Sequence, residues 1–199
     1  WHLWRKQHVR SLVMDLKHFI RVYDDVLDEN LCRHIINGFD KEQNKILMNQ
    51  DSIKFATLNM TEMAEKEQQQ NWGLIQNQVV SALQACGQQY ILDLDCEKYM
   101  PQQNALEQIK IVRYNQGEGK FDEHIDVGDY ASARRFVGYF VYLNDVEEGG
   151  STYFHNSDYE VEAKRGRIVM FPPTWQYPHA GLVPKSEDKY ILTTYLHYQ

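Results

Sequence analysis

Gly119-Lys120-Phe121-Asp122-Glu123-His124-Ile125-Asp126 is the stretch on which the reading of this chain turns. It places a histidine and a carboxylate, His124 and Asp126, two residues apart. On a β-strand, residues two apart project from the same face. A strand here therefore sets an imidazole beside a carboxylate, both aimed into whatever that face lines. Taken alone, such a pair arises readily by chance in a chain with 8 histidines and reads as surface decoration. Its weight depends on its surroundings.

Those surroundings predict a β-rich frame. After Pro101, short apolar runs alternate with Gly, Asn and Asp turns. The runs fall at 109–114, 121–127, 136–143, 151–155, 160–163, 166–171, 177–182 and 190–197. Eight strands at this spacing predict a jelly roll or barrel. The runs at 109–112, 136–143, 168–171 and 190–196 are apolar on both faces, so their sheet is covered on both sides. Those at 121–127, 151–155 and 177–182 are mixed, and predict a more exposed sheet carrying His124 and Asp126.

The N-terminal half supplies the cover. Residues 1–18 predict a short helix and 19–23 a strand. Asp28-Glu29-Asn30 offers capping chemistry, and Leu31, Ile35, Ile36 and Phe39 follow at helical spacing. Residues 40–70 are polar, which predicts an insertion that is in part extended or looped. A long helix is expected over 61–90, with Trp72, Ile75, Val79, Leu83 and Cys86 on one face. The expected fold is α+β: a double-stranded β-helix (jelly roll) with N-terminal helices packed on one sheet. A single domain over 1–199 is expected, 1–104 mainly helical support and 105–199 the jelly-roll core.

Composition narrows the function. A net charge of −7 disfavours a nucleic-acid binder, which needs a basic face. No apolar run reaches the roughly 20 residues needed to span a bilayer, so no membrane partner is expected. Cys32, Cys86 and Cys96 are odd in number and widely spaced, which argues against a disulfide framework and for a reducing, cytoplasmic setting.

A third ligand for the His124–Asp126 pair is offered by Tyr177-Pro178-His179-Ala180-Gly181, on another predicted strand. Two imidazoles and one carboxylate on one face of an octahedron leave three positions open. That arrangement suits Fe(II), whereas a closed zinc site calls for a fourth ligand. Lys189 begins the last strand, where Lys189, Ile191, Thr193 and Tyr195 would face inward. A buried lysine needs an anion, and a dicarboxylate in the barrel would supply it. The alternative is a strand-end lysine whose ammonium reaches solvent.

At these residues the chain resembles the 2-oxoglutarate- and Fe(II)-dependent dioxygenases, in their prolyl 4-hydroxylase-like branch. The matching pieces are Arg113-Tyr114-Asn115-Gln116-Gly117, His124-Ile125-Asp126, residues 142–152, residues 164–172, His179-Ala180-Gly181 and Lys189, in the family's order over about 105–197. The resemblance implies that His124, Asp126 and His179 bind iron and that Lys189 pairs with the distal carboxylate of 2-oxoglutarate. It implies that Tyr114 hydrogen-bonds that cosubstrate, and that Tyr142 and Thr193 line its pocket. Arg135 matches an arginine that contacts the substrate peptide, a solvated turn residue being the other reading. Trp175 is a candidate aromatic contact at the mouth or a core residue. The implied cofactors are Fe(II), 2-oxoglutarate and O2, with ascorbate as reductant. The implied reaction is hydroxylation of an unactivated C–H, of a prolyl residue in a peptide or protein. A free amino acid, a small metabolite and a non-catalytic anion- or metal-binding jelly roll remain the alternatives. The loops 115–123 and 128–135 are the expected gates over substrate.

Overall fold

A computed structural model describes residues 15–66 and 71–199. The helix expected over 1–18 lies largely outside the described residues. A short 3-10 turn, Leu16–Phe19, enters β1 (Arg21–Tyr23) and then helix α1 (Glu29–Lys41). The Asp28 side chain accepts from Leu31 N at 3.0 Å and caps α1, satisfying one of its unpaired first-turn donors.

The first departure from expectation comes next. Of the extended and looped alternatives, residues 46–59 take the extended one and pair as an unexpected hairpin, β2 (Ile46–Gln50) and β3 (Ile53–Asn59). Its turn is Asp51-Ser52 and its strands carry Ile46, Leu47, Met48, Phe55 and Leu58. The polar residues between them mask the alternation. The single helix expected over 61–90 is two: α2 (Met60–Glu65) and α3 (Trp72–Asp93). Asn59 caps α2 by accepting from Glu62 N, and Glu62 Oε1 accepts in return from Asn59 Nδ2. This reciprocal pair starts a helix directly from a strand. On α3 the expected face is apolar and inward, with Trp72, Val79, Leu83, Cys86 and Tyr90 all buried.

The remaining strands are β4 (Asn104–Leu106), β5 (Lys110–Tyr114), β6 (Lys120–His124), β7 (Arg135–Tyr142), β8 (Thr152–Phe154), β9 (Tyr159–Val161), β10 (Ile168–Phe171), β11 (His179–Gly181) and β12 (Lys189–Tyr198). All eight runs read from the sequence after Pro101 have their strand, and all pairing is antiparallel. The strands run in the order β1-β10-β7-β12-β5-β3-β6-β11-β8-β9. The path folds over at β3, which pairs β5 of one sheet and β6 of the other. The result is a nearly closed barrel of the double-stranded β-helix kind.

Side-chain alternation splits the core in two. Val137, Tyr139 and Val141 of β7, Ile168 and Met170 of β10, and Tyr190 and Leu192 of β12 pack with Ile35 and Phe39 of α1 and Val79 and Leu83 of α3. Phe140 and Tyr142, Val169 and Phe171, and Ile191 point the other way and fill the barrel with Val112, Tyr114, Phe154 and Val161. The sheet is thus apolar on both faces because helices cover one and the barrel interior lies against the other. Cys32, Cys86 and Cys96 are free thiols. Burial pushes the Cys32 and Cys86 thiols up to about 11, so both behave as small apolar fillers. Among the described residues no helix is long and apolar enough to cross a membrane.

Candidate metal centre and cosubstrate pocket

His124 ends β6, and His179 begins β11 as its direct cross-strand partner. Two residues further along, the register has slipped: Gly181 faces Phe121, so two steps on β11 oppose three on β6. This bulge turns Phe121 and His124 to the same side, although they are three apart. Their rings stack at 3.5 Å between centroids and 10° between planes. Asp126 lies two residues past the last strand residue, not on the strand as the sequence implied. Its carboxylate nonetheless swings back to the pair. His124 Nε2 lies 3.5 Å from Asp126 Oδ1, and His179 Nε2 lies 3.6 Å from Oδ2.

One donor atom from each of the three residues lies within 4.8 Å of the others, the only such group among the described residues. Several observations fit a cation there. Asp126 Oδ2 and His179 Nε2 are buried with no hydrogen-bond partner among the described residues. Each ring is oriented from behind: His124 Nδ1 lies 2.8 Å from Asp122 O, and His179 Nδ1 lies 3.1 Å from Tyr177 O. With Nδ1 donating to a carbonyl, each Nε2 presents a lone pair toward the centre. Burial holds the His179 imidazole below its usual range, favouring the neutral ligating form over the pull of Asp126. Burial pushes the Asp126 carboxyl up, but His179, His124 and the Tyr195 hydroxyl outweigh it and leave it ionised below its ordinary range. Phe140, Phe154 and Phe171 surround His179 at 4.9–5.6 Å between ring centroids and keep the inner side dry. Two imidazoles, one carboxylate and no thiolate form a donor set suited to Fe(II).

Deeper in the barrel, Lys189 and Tyr114 face each other across β12 and β5. Lys189 is 1% exposed and its Nζ lies 4.2 Å from the centre of the Tyr114 ring. No carboxylate lies within ion-pair reach of it among the described residues, and burial pulls its pKa down to about 7. Burial likewise raises the Tyr114 hydroxyl well above its usual range, so it stays a donor. A Cβ added at Gly181 would sit 3.7 Å from Lys189 Nζ, so the glycine leaves space over the ammonium. Lys189, Ile191, Thr193 and Tyr195 do share the inward face: Ile191 and Tyr195 pack in the barrel core. Tyr142 is fully inside too, but its hydroxyl is committed to Thr152 Oγ1 at 2.7 Å and Val161 O at 3.1 Å.

The outer residues divide. Trp175 is 71% exposed, not core. Arg135 is mostly buried, with its guanidinium donating to the Glu107 carboxylate and to the Asp126 carbonyl. Sequence reading overlooked Phe121, Glu107 and Tyr130. A bulge, a salt-bridge partner 28 residues away and a loop tip leave no periodic signal.

Residues 109–197 match the family model of the 2OG-Fe(II) oxygenase superfamily. No curated protein matches the sequence. Among solved structures, the viral collagen prolyl hydroxylase of Paramecium Bursaria Chlorella virus-1, in its 2OG complex, aligns with a TM-score of 0.67 at 19% identity, covering 91% of this chain and 97% of that one. A Pseudomonas putida prolyl-4-hydroxylase aligns at 0.69 and 17%, covering 92% and 94%. A prolyl hydroxylase from Trichoplax adhaerens, in complex with a hypoxia inducible factor peptide fragment, aligns at 0.66 and 14%, covering 91% and 84%. At these identities the likeness speaks for the fold. The family carries dioxygenase chemistry and implies Fe(II), 2-oxoglutarate and O2. Family match and fold meet on the same eight strands: residues 109–197 carry the match to the 2OG-Fe(II) oxygenase superfamily, and the fold around them is shared with prolyl hydroxylases.

Proposed function

We propose that this dioxygenase hydroxylates an unactivated C–H of a prolyl residue within a peptide or protein. The observation that carries the reading is a three-donor metal group in the same barrel as a buried lysine that has no carboxylate partner among the described residues. His124, Asp126 and His179 would hold Fe(II) and leave the rest of its coordination sphere for cosubstrate and O2. Iron bound there would let O2 act as the oxidant, one oxygen atom entering the substrate C–H as a hydroxyl and the other entering 2-oxoglutarate, which would leave as succinate and carbon dioxide.

The chain's own residues bind, orient and exclude water. The Lys189 ammonium pairs with the distal carboxylate, and that pairing restores the charge its burial disfavours. The Tyr114 hydroxyl donates to the same end, and Thr193 and Tyr142 complete the wall. Holding the cosubstrate in one orientation removes an entropic cost from the later step. Phe140, Phe154 and Phe171 keep water from the inner side of His179.

The peptide preference rests on the rim. Trp175 and Tyr130 stand 71% and 98% exposed on loops joined by Val127 N donating to Pro173 O at 3.1 Å. Such rings suit the flat ring and extended backbone of a prolyl segment. The tip of the Tyr130 loop is set by Asp129 and Ser132, which bond each other through side chains and backbone. The three solved structures of like fold are prolyl hydroxylases by name, one of them in complex with a peptide fragment. The test is succinate release with Fe(II), 2-oxoglutarate, O2 and ascorbate as reductant, comparing proline-rich peptides with free amino acids. Coupled release and a one-oxygen mass gain on the peptide are expected. Turnover only with free amino acids would transfer the reading to a small-molecule substrate. No cosubstrate consumption under any condition would favour a non-catalytic binder.

A further inference from the structure

The Asp126 ligand lies beyond the end of β6, where no strand pairing fixes its backbone. Arg135 Nη1 donates to its carbonyl at 3.0 Å. The other two edges of the same guanidinium form a fork on Glu107, Nε to Oε1 at 3.0 Å and Nη2 to Oε2 at 2.9 Å. Its plane lies over the Tyr195 ring, 4.0 Å from the centroid. Glu107 is itself fixed to β12: its amide donates to Tyr195 O at 2.8 Å, and its carbonyl accepts from Thr194 Oγ1 at 2.8 Å. Glu107 and Arg135 side chains are only 17% and 23% exposed. Three of the five guanidinium N–H groups and one face of its plane are thus engaged from within the chain.

We propose that Arg135 and Glu107 are positioning residues for the metal ligand Asp126. The proposal rests on the iron-site reading above. Asp126 contributes the one carboxylate of the donor set, and its side chain must return from beyond a strand end to reach His124 and His179. A rigid brace from β12 through Glu107 and Arg135 holds the peptide unit from which that carboxylate hangs. Lysine cannot reproduce the brace, since a single ammonium cannot fork onto a carboxylate and also reach a third acceptor in a fixed plane.

The test is Mn(II) binding to the purified apoprotein, read by calorimetry and by the electron paramagnetic resonance line shape of the bound ion. Arg135→Gln and Arg135→Lys are each expected to weaken Mn(II) binding about 10- to 100-fold, the usual loss on removing an outer partner of a metal ligand. The bound-ion spectrum is expected to broaden. Glu107→Gln, which keeps the shape and one acceptor, should weaken binding by a smaller factor and safeguards the test if Arg135 variants fold poorly. Arg167→Gln, which breaks a similar fork onto Asp24 outside the site, should leave both readouts unchanged. Parent-like affinity and line shape in the Arg135 and Glu107 variants would overturn the inference. A parent protein that binds Mn(II) no better than its own His124→Ala variant would instead overturn the iron-site reading beneath it.

Discussion

The two faces of the main sheet make the most instructive contrast in the molecule. The face toward α1 and α3 is filled with hydrocarbon and aromatic rings from Leu31, Ile35 and Phe39 through Val141 to Leu192. The face toward the barrel interior shares the same strands but is interrupted by Lys189, and across the barrel by His179 and Asp126. Alternation along one strand, Tyr190 outward and Lys189 inward, assigns neighbouring residues to opposite tasks. One face stabilises the chain. The other forgoes apolar burial to keep a charge and unpartnered donor atoms in a dry space.

That contrast yields predictions that should separate stability from chemistry. The largest concerns His179→Ala. Turnover should fall by at least about four orders of magnitude, ~5 kcal/mol on the barrier, while the apoprotein melts near the parent temperature. Activity that survives in a succinate assay would break the division. Next is Phe39→Ala, on the helix side and fully buried. It should cost about 3–5 kcal/mol in urea unfolding, with Mn(II) affinity of the folded fraction unchanged.

Lys189→Ala should raise the KM for 2-oxoglutarate by about 10- to 100-fold, the worth of a charge-assisted bond, with metal affinity kept. The same lysine sets a pH dependence. In the free protein it titrates at about 7, and a bound carboxylate raises that value because it favours the charged form. Cosubstrate binding therefore takes up a proton above pH 7. The KM for 2-oxoglutarate should be flat below pH 7 and climb about tenfold per unit above it, up to the pKa of the bound lysine. Lys189→Arg should remove this slope, since a guanidinium stays protonated. The smallest effect belongs to the rim. Trp175→Ala should raise the peptide KM a few-fold and leave the 2-oxoglutarate KM alone, as measured by steady-state kinetics.

Much of this architecture is legible in the residues. The paired apolar faces of 136–143 and 190–196 announce a doubly covered sheet; donor atoms of His124, Asp126 and His179 come within 4.8 Å of one another, although Asp126 lies past the strand end, and Lys189 is buried. What escapes sequence reading has definite causes. The β2–β3 hairpin is masked because its outer strand is an edge, with Ile46 and Leu47 at 63% and 73% exposure, so no clean alternation marks it. α2 ends at Glu65 and α3 begins after Asn71, whose backbone is left-handed; the Glu- and Gln-rich composition before Asn71 favours helix and gives no stop signal. The bulge between His124 and Phe121 turns a ring inward against strand periodicity. The Glu107–Arg135 brace joins residues far apart in the chain, and Arg135 by itself looks like any turn arginine.

The central claim is that the metal group and Lys189 act together on one chelating cosubstrate. Anaerobic titration of the Fe(II)-loaded protein with 2-oxoglutarate tests it most directly, followed by the visible charge-transfer absorption that an α-keto acid gives on chelating ferrous iron. The account predicts a saturable band in the parent, none in His179→Ala, and in Lys189→Ala a band that saturates only at much higher 2-oxoglutarate. No band in the parent, or the same titration curve in the parent and Lys189→Ala, would contradict it.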